Sequence, residues 1–322
     1  MDMHNMTLKD QIRLQLERHR DISLSGQELA GQFGVSRSAV WKAINTLKRE
    51  GYSIESSTNR GYRLAEGCDR LAAELIQTEL EDTSLPVYVL SSTDSTNEEA
   101  RRRLTQQKGR CFVVAAEEQT AGRGRRGRSF YSPKDTGLYL TLATSPETSM
   151  DRMMGITAYA AVCTARAIRD LCGKQPQIKW VNDLFLDGRK IGGILTEAVF
   201  DFETGRVSHL MIGVGLNLRP CKVPTELRET MGFLETGGGV KNRLAAAIVN
   251  ALLKYDEGDT GYMQDYRRWS MVLGQEIVYE KEGQEWIGRA VSIRDDGGLE
   301  VQQSDGSTVV LRSGEITLRL KS

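Results

Sequence analysis

Cysteine and histidine are scarce in this 322-residue chain, which has five cysteines (Cys68, Cys111, Cys163, Cys172, Cys221) and three histidines. The cysteines are odd in number and none form a C-x-x-C pair, which excludes a disulfide scaffold or a zinc ribbon. A histidine-based metal site would have too few ligands. Only six prolines occur, too few for a linker-rich or fibrous chain. Net charge is absent too, with 43 basic against 43 acidic residues, so neither a polybasic coat nor an acidic tail is present. Long apolar runs are also missing. The longest uncharged stretch near the middle, Met153 to Ala165, falls short of the ~18 apolar residues of a membrane span. The opening MDMHNMTLKD carries acidic residues and no apolar run, unlike a signal peptide. The expectation is a soluble, reduced, cytoplasmic protein with no membrane partner.

At roughly 100–200 residues per domain, the length suits two or three domains, and the pattern changes twice. Residues 1–66 show short helical periods and a small β-like tail. Leu8, Ile12 and Leu16 form a helical stripe. Ser25 and Glu28 make a capping box for a short helix through Phe33. Gly34-Val35 turns the chain and Ser36 caps a helix that buries Ala39, Val40, Ala43, Ile44 and Leu47 and ends at Gly51. Two strands around Ser57, Asn59 and Arg60 complete a winged helix-turn-helix. From Ser36 to Arg63, six basic residues against two acidic leave a net +4. Ser36, Arg37, Ser38 and Lys42 open the second helix, where such folds meet base edges. Arg60 and the other basic residues would neutralise phosphates. A small protein-interaction domain with a solvated basic face is the plainer alternative.

Residues 270–322 alternate apolar and polar, with Asp296-Gly297 and Asp305-Gly306 among the turns between five expected strands. Asp-Gly between alternating runs is a hairpin signal, so a small SH3-like barrel is expected. Six basic against nine acidic residues give it −3, a poor charge for nucleic acid.

Between these lies a mixed α/β region, 67–269, which holds the sharpest motif: Gly122-Arg123-Gly124-Arg125-Arg126-Gly127-Arg128. The glycines fit G-x-G-x-x-G, but a dinucleotide fingerprint needs a helix to open on them, and here a second strand follows from Gly137. No P-loop motif occurs. Guanidinium forks suit phosphate or carboxylate, and four cations so close should keep the loop disordered until an anion arrives. A solvated basic loop or an RNA-binding tract fits the loop alone equally well. Other segments add weight. They are Asp94-Ser95-Thr96-Asn97 opening a helix with Ser95 or Thr96 as its cap, Gln119 before the loop, Lys179-Trp180-Val181-Asn182-Asp183, Lys190-Ile191-Gly192-Gly193-Ile194-Leu195, and Gly213-Val214-Gly215-Leu216-Asn217.

This order of motifs resembles the bifunctional biotin–protein ligases that double as biotin operon repressors, over nearly the whole chain. The resemblance implies an α+β protein: winged helix-turn-helix, central catalytic domain of the biotin/lipoate ligase type, C-terminal SH3-like barrel. It implies that biotin and Mg-ATP form biotinyl-5′-adenylate, and that the acyl group passes to a lysine of a biotin carboxyl carrier protein, such as a subunit of acetyl-CoA carboxylase. On this likeness Ser95, Thr96, Asn97, Gln119, Arg123, Gly124, Arg125, Lys190, Gly192 and Gly193 bind biotin. Arg126, Arg128, Phe130, Asn182 and Asn217 bind the nucleotide. Lys179, Arg125, Lys190 and Asp183 are catalytic, with Asp183 also a Mg²⁺ partner. Phe130 stands where family members often carry Trp, and Val181 where Pro is common. The likeness further implies a ligand-dependent homodimer on operator DNA. Two rivals remain: a lipoate–protein ligase, and a biotin-sensing transcription factor that never turns over.

Overall fold

In the computed structural model, the residues described are 6–57, 61–106, 111–145, 153–201, 203, 206–281, 283–312 and 316–318. Each N-terminal helix starts where a side chain satisfies an orphan amide. Thr7 caps α1 (Leu8–Arg18), the Ser25/Glu28 box caps α2 (Gly26–Phe33), and Ser36 caps α3 (Arg37–Arg49). Ile12, Leu16, Leu29, Val40, Ile44 and Leu47 form their common core. β1 (Ile54–Ser57) and β2 (Gly61–Leu64) pair antiparallel, Ile54 opposite Leu64. Just before the first strand Tyr52 is turned into the core, where the Arg13 guanidinium lies 5.7 Å from its ring. Arg60 lies outside the described residues. Two guanidinium contacts tie this unit to the next: Arg13 to Glu74 at 2.6 Å, and Arg20 to the Cys68 carbonyl at 2.8 Å.

The central region runs α4 (Ala73–Glu79), β3 (Val87–Leu90), α5 (Thr96–Leu104), β4 (Phe112–Ala116), β5 (Gly137–Thr144), α6 (Met153–Cys172), β6 (Gln177–Lys179), β7 (Asp183–Leu186), β8 (Arg189–Asp201), β9 (Arg206–Asn217), α7 (Lys241–Leu252) and α8 (Tyr262–Arg268). Its seven strands make one sheet, ordered β3-β4-β5-β9-β8-β7-β6, parallel only at β3–β4. Alternation along each strand divides the apolar residues between two faces. Val113, Leu140 and Ile212 join the large core with Ile156 and Ile248 from α6 and α7, while Phe112, Val114 and Met211 pack with Ala100 and Leu104 of α5. β9 continues on the α5 face as Gly213 and Gly215 instead of large residues, which leaves room there.

β10 (Glu276–Lys281), β11 (Gln284–Ile293), β12 (Leu299–Gln302), β13 (Thr308–Leu311) and β14 (Ile316–Leu318) form a five-stranded antiparallel sheet. Its Asp-Gly turns place Gly297 and Gly306 at φ 84°, a conformation that disfavours any side chain. The indole of Trp180 donates to the Gly297 carbonyl at 2.9 Å and fastens this sheet to the central one. All five cysteines are free, and among the described residues no helix is long and apolar enough to cross a membrane.

Candidate functional site

The room above the two β9 glycines is part of a cavity of about 210 Å³. A Cβ added at Gly213 would lie 2.5 Å from Asn97 Oδ1, and one at Gly215 would lie 2.5 Å from the Phe130 ring. These glycines let the start of α5 and the end of the arginine loop settle directly on the sheet.

The polar wall comes from the entry into α5. Ser95 is the N-cap residue, but its side chain makes no capping hydrogen bond, and Ser95, Thr96 and Asn97 are buried and line the cavity. The expected cap is thus replaced by tertiary contacts. Gln119 Oε1 accepts from the Thr96 amide at 2.9 Å. Thr141 Oγ1 lies 2.8 Å from Thr96 Oγ1 and 2.7 Å from Asn97 Oδ1. Asn97 Nδ2 donates to Glu197 at 2.8 Å. Just outside, hydrogen bonds from Arg102 hold the Asp94 carboxyl well below the usual carboxylate range.

The arginine loop forms the opposite wall. It is folded rather than disordered. Gly124 N donates to Arg128 O at 2.7 Å, Phe130 N donates to Gly122 O at 2.8 Å, and Arg126 takes a left-handed φ of 54°. The four guanidiniums escape mutual repulsion by taking different directions. Arg123 pairs with Glu98, Arg125 reaches Asn182 Oδ1 at 3.5 Å, Arg126 lies 4.0 Å from Glu280, and Arg128 lines the cavity. From the far end of the sheet come Lys179, Asp183 and Lys190, the last two paired at 2.8 Å. Asn182 is fixed by Nδ2 donating to Ile194 O at 2.8 Å. The Trp180–Val181 peptide is cis. Beneath it, Tyr266 donates to Val181 O at 2.9 Å, and burial raises its phenol above the usual range. Among the described residues, Arg123, Arg125, Arg128, Lys179 and Lys190 thus face one carboxylate, Asp183, around the cavity.

Three expected residues do not line this cavity: Gly192, Arg126 and Asn217. Gly192 is pressed on β9, where a Cβ would meet Gly215 O at 2.4 Å. Asn217 lines a neighbouring cavity of about 100 Å³ that shares Ser129, Phe130 and Lys190 with the first. Its Oδ1 is buried with no hydrogen-bond partner, while Nδ2 donates to Gly232 O at 3.1 Å. Sequence reasoning missed Gly213, Leu195 and Thr317 as lining residues, and Met231 and Thr230 of the neighbouring cavity. Only the period-two spacing of Gly193, Leu195 and Glu197 along β8 carried a signal. Among the described residues no three His, Cys, Asp or Glu cluster to hold a metal. A single carboxylate beside the cavity fits an ion that a polyphosphate brings with it. In the N-terminal unit, Ser36, Arg37, Ser38 and Lys42 lie exposed at the start of α3, with Trp41 58% exposed beside them.

Three family models match the chain: the biotin/lipoate A/B protein ligase family over residues 87–217, an HTH domain over 9–63, and the biotin protein ligase C terminal domain over 272–319. The bifunctional ligase/repressor BirA of Bacillus subtilis is 31% identical over 319 residues, covering 94% of this chain and 96% of that one. The protein of the same name from Escherichia coli is 31% identical, covering 92% of each. A biotin protein ligase from Aquifex aeolicus, solved with biotin and ATP, superposes with a TM-score of 0.60 over 73% of this chain and 99% of its own, at 23% identity.

Proposed function

The chain belongs to the bifunctional biotin ligase/repressors of the biotin/lipoate A/B protein ligase family, and from that membership we propose how its cavity works. Biotin and ATP meet between the polar wall and the arginine loop. A biotin carboxylate oxygen attacks the α-phosphorus, the bond to the β-phosphate breaks, and pyrophosphate leaves. A carrier-protein lysine then attacks the acyl carbon, AMP departs, and the amine loses its proton. Two anions must approach in the first step, and their repulsion is the main electrostatic obstacle. Preorganised cations lower it at little cost in reorganisation. The observation that carries this reading is that, among the described residues, five cationic side chains converge on one cavity against a single carboxylate. Ser95, Thr96, Asn97, Gln119 and Gly193 receive the ureido ring, and Arg123, Arg125 and Lys190 the carboxylate and α-phosphate. Phe130, Asn182, Asn217 and Arg128 serve the nucleotide, with the unpaired Asn217 Oδ1 offering a buried acceptor. Asp183 would hold the Mg²⁺ that accompanies ATP, which would supply charge neutralisation at the phosphates. The test is incubation with biotin, Mg-ATP and a carrier domain. A carrier lysine heavier by one biotinyl group supports the reading, and competition with lipoate checks the acid used. Absence of both pyrophosphate release and labelling refutes it.

The winged helix reads operator DNA through Arg37, Ser38 and Lys42. Arg37→Ala with Lys42→Ala should weaken binding to a duplex selected by the full chain by about 1–3 kcal/mol for each base-edge hydrogen bond removed, with ligation unchanged. Equal binding by wild type and variant in a gel shift would remove α3 as the reader. Repression further calls for a homodimer formed when the adenylate is bound. Sedimentation should give a doubled mass with biotin and ATP present, and an unchanged mass under both conditions would count against it.

A further inference from the structure

The winged helix carries a large apolar side chain that its core does not use. Along α3, Val40, Ala43, Ile44 and Leu47 are buried and complete the packing against α1 and α2. Trp41 points about 100° away from Val40 around the helix axis, and it is 58% exposed. It follows Arg37 by one turn on the same face and precedes Lys42, both exposed. Farther along the helix the basic side chains are engaged, Lys48 with Ser56 at 2.6 Å and Arg49 with Thr46 at 3.1 Å. Among the described residues, the Arg37 and Lys42 side chains have no hydrogen-bond or ion-pair partner. An indole thus stands in the open between two uncommitted cations. Their charge fits a polyanion, and the ring must find apolar surface on it.

A DNA duplex offers little such surface. Stacking closes the faces of the bases, so a side chain in the major groove meets only their edges. Those edges carry hydrogen-bond donors and acceptors, and the apolar group among them is the thymine C5-methyl. We propose that Trp41 is a specificity-determining residue of the operator interface: its indole covers a thymine methyl, so that the selected half-site carries an A·T pair beneath it. The inference rests on the winged-helix reading above. Arg37 and Lys42 supply charge, which holds any duplex. The Trp41 ring adds none, so its contribution falls on the choice of sequence.

The test is a gel shift of the full chain, with biotin and Mg-ATP present, on a duplex that the wild type selects from a random pool. Each thymine in turn is replaced by uracil, which lacks only the methyl. Wild type should lose about 4-fold at the position under Trp41, the share of one buried carbon group. Trp41→Ala should bind the selected duplex more weakly by at least that factor and should be indifferent to the same uracil, since the two changes remove one contact. Its affinity for an unselected duplex and its carrier labelling should match wild type. Should Trp41→Ala fail to fold, the wild type decides alone: 5-bromouracil at the responsive position, irradiated, should cross-link to the peptide that holds Trp41. A cross-link to another peptide, a wild type indifferent to every uracil, or a variant as sensitive as wild type overturns the proposal while the winged-helix reading survives. Equal weakening on selected and unselected duplexes would make the ring a backbone contact, and loss of labelling alone would make it a carrier contact. Either also overturns it. A full chain that selects no duplex overturns both.

Discussion

Replacing Lys190 by alanine is expected to slow biotin-dependent pyrophosphate release by about 10²–10³, the usual cost of losing one preorganised charge-stabilising group. The backbone at this position does not depend on the side chain. Lys190 N donates to Thr230 O and Lys190 O accepts from Gly232 N, both at 2.8 Å, so the strand edge should survive the change. The ammonium, however, is the partner of Asp183 at 2.8 Å. The substitution therefore acts twice: it removes a cation and uncovers an anion where two more anions must gather. A second variant separates these effects. Should neutralising Asp183 be the whole role of Lys190, adding Asp183→Asn to Lys190→Ala would return the rate to near wild type. Should Lys190 stabilise the forming anhydride and departing pyrophosphate, as proposed, most of the loss would persist. Pyrophosphate release at the wild-type rate by Lys190→Ala would take this lysine out of the reaction.

Much of this arrangement was legible because it is written in local signals. The caps at Ser25 and Ser36, the stop at Gly51 and the Asp-Gly turns at Gly297 and Gly306 each act within a few residues, and each appears where its chemistry places it. The arginine loop and the lysine-bearing strands stood out by composition. What stayed hidden is what depends on distant partners. Ser95 and Thr96 look like helix caps until Gln119, from the loop after β4, and Thr141, from β5, take the polar groups for the cavity wall. The arginines look mutually repelling until Glu98, Asn182 and Glu280 draw them apart. Thr141 and Glu197 read as ordinary strand residues, since nothing in their neighbourhood along the chain says that both will meet Asn97. Ile316 and Thr317, which belong to the C-terminal sheet, line a cavity whose chemistry lies on the central one. Such contributions follow from topology, which local patterning does not encode.

Buried charge supplies the largest expected effect on stability. Lys241 at the start of α7 meets Glu117 just past β4 at 2.8 Å, with side chains 1% and 2% exposed. The second Glu117 oxygen accepts from the Leu71 amide at 2.6 Å, and Asp69 accepts from the Lys241 amide at 3.2 Å. The pair thus anchors the stretch that leads from the winged helix to the central sheet. Removing either partner leaves a charge sealed from water. Lys241→Met or Glu117→Gln should cost about 3–5 kcal/mol. At about 2–4 °C per kcal/mol for a region of this size, melting should fall by about 6–20 °C. The double variant Glu117→Gln, Lys241→Met removes both charges and keeps an acceptor for the Leu71 amide. It should melt nearer to wild type than either single change, because the cost comes mainly from an orphaned ion and much less from lost attraction. Thermal denaturation of the four proteins decides it. If the two single losses simply add in the double variant, Glu117 and Lys241 contribute independently, and the anchoring of residues 69–71 must come from Asp69 and Asn242, which bond the Lys241 and Ala72 amides in turn.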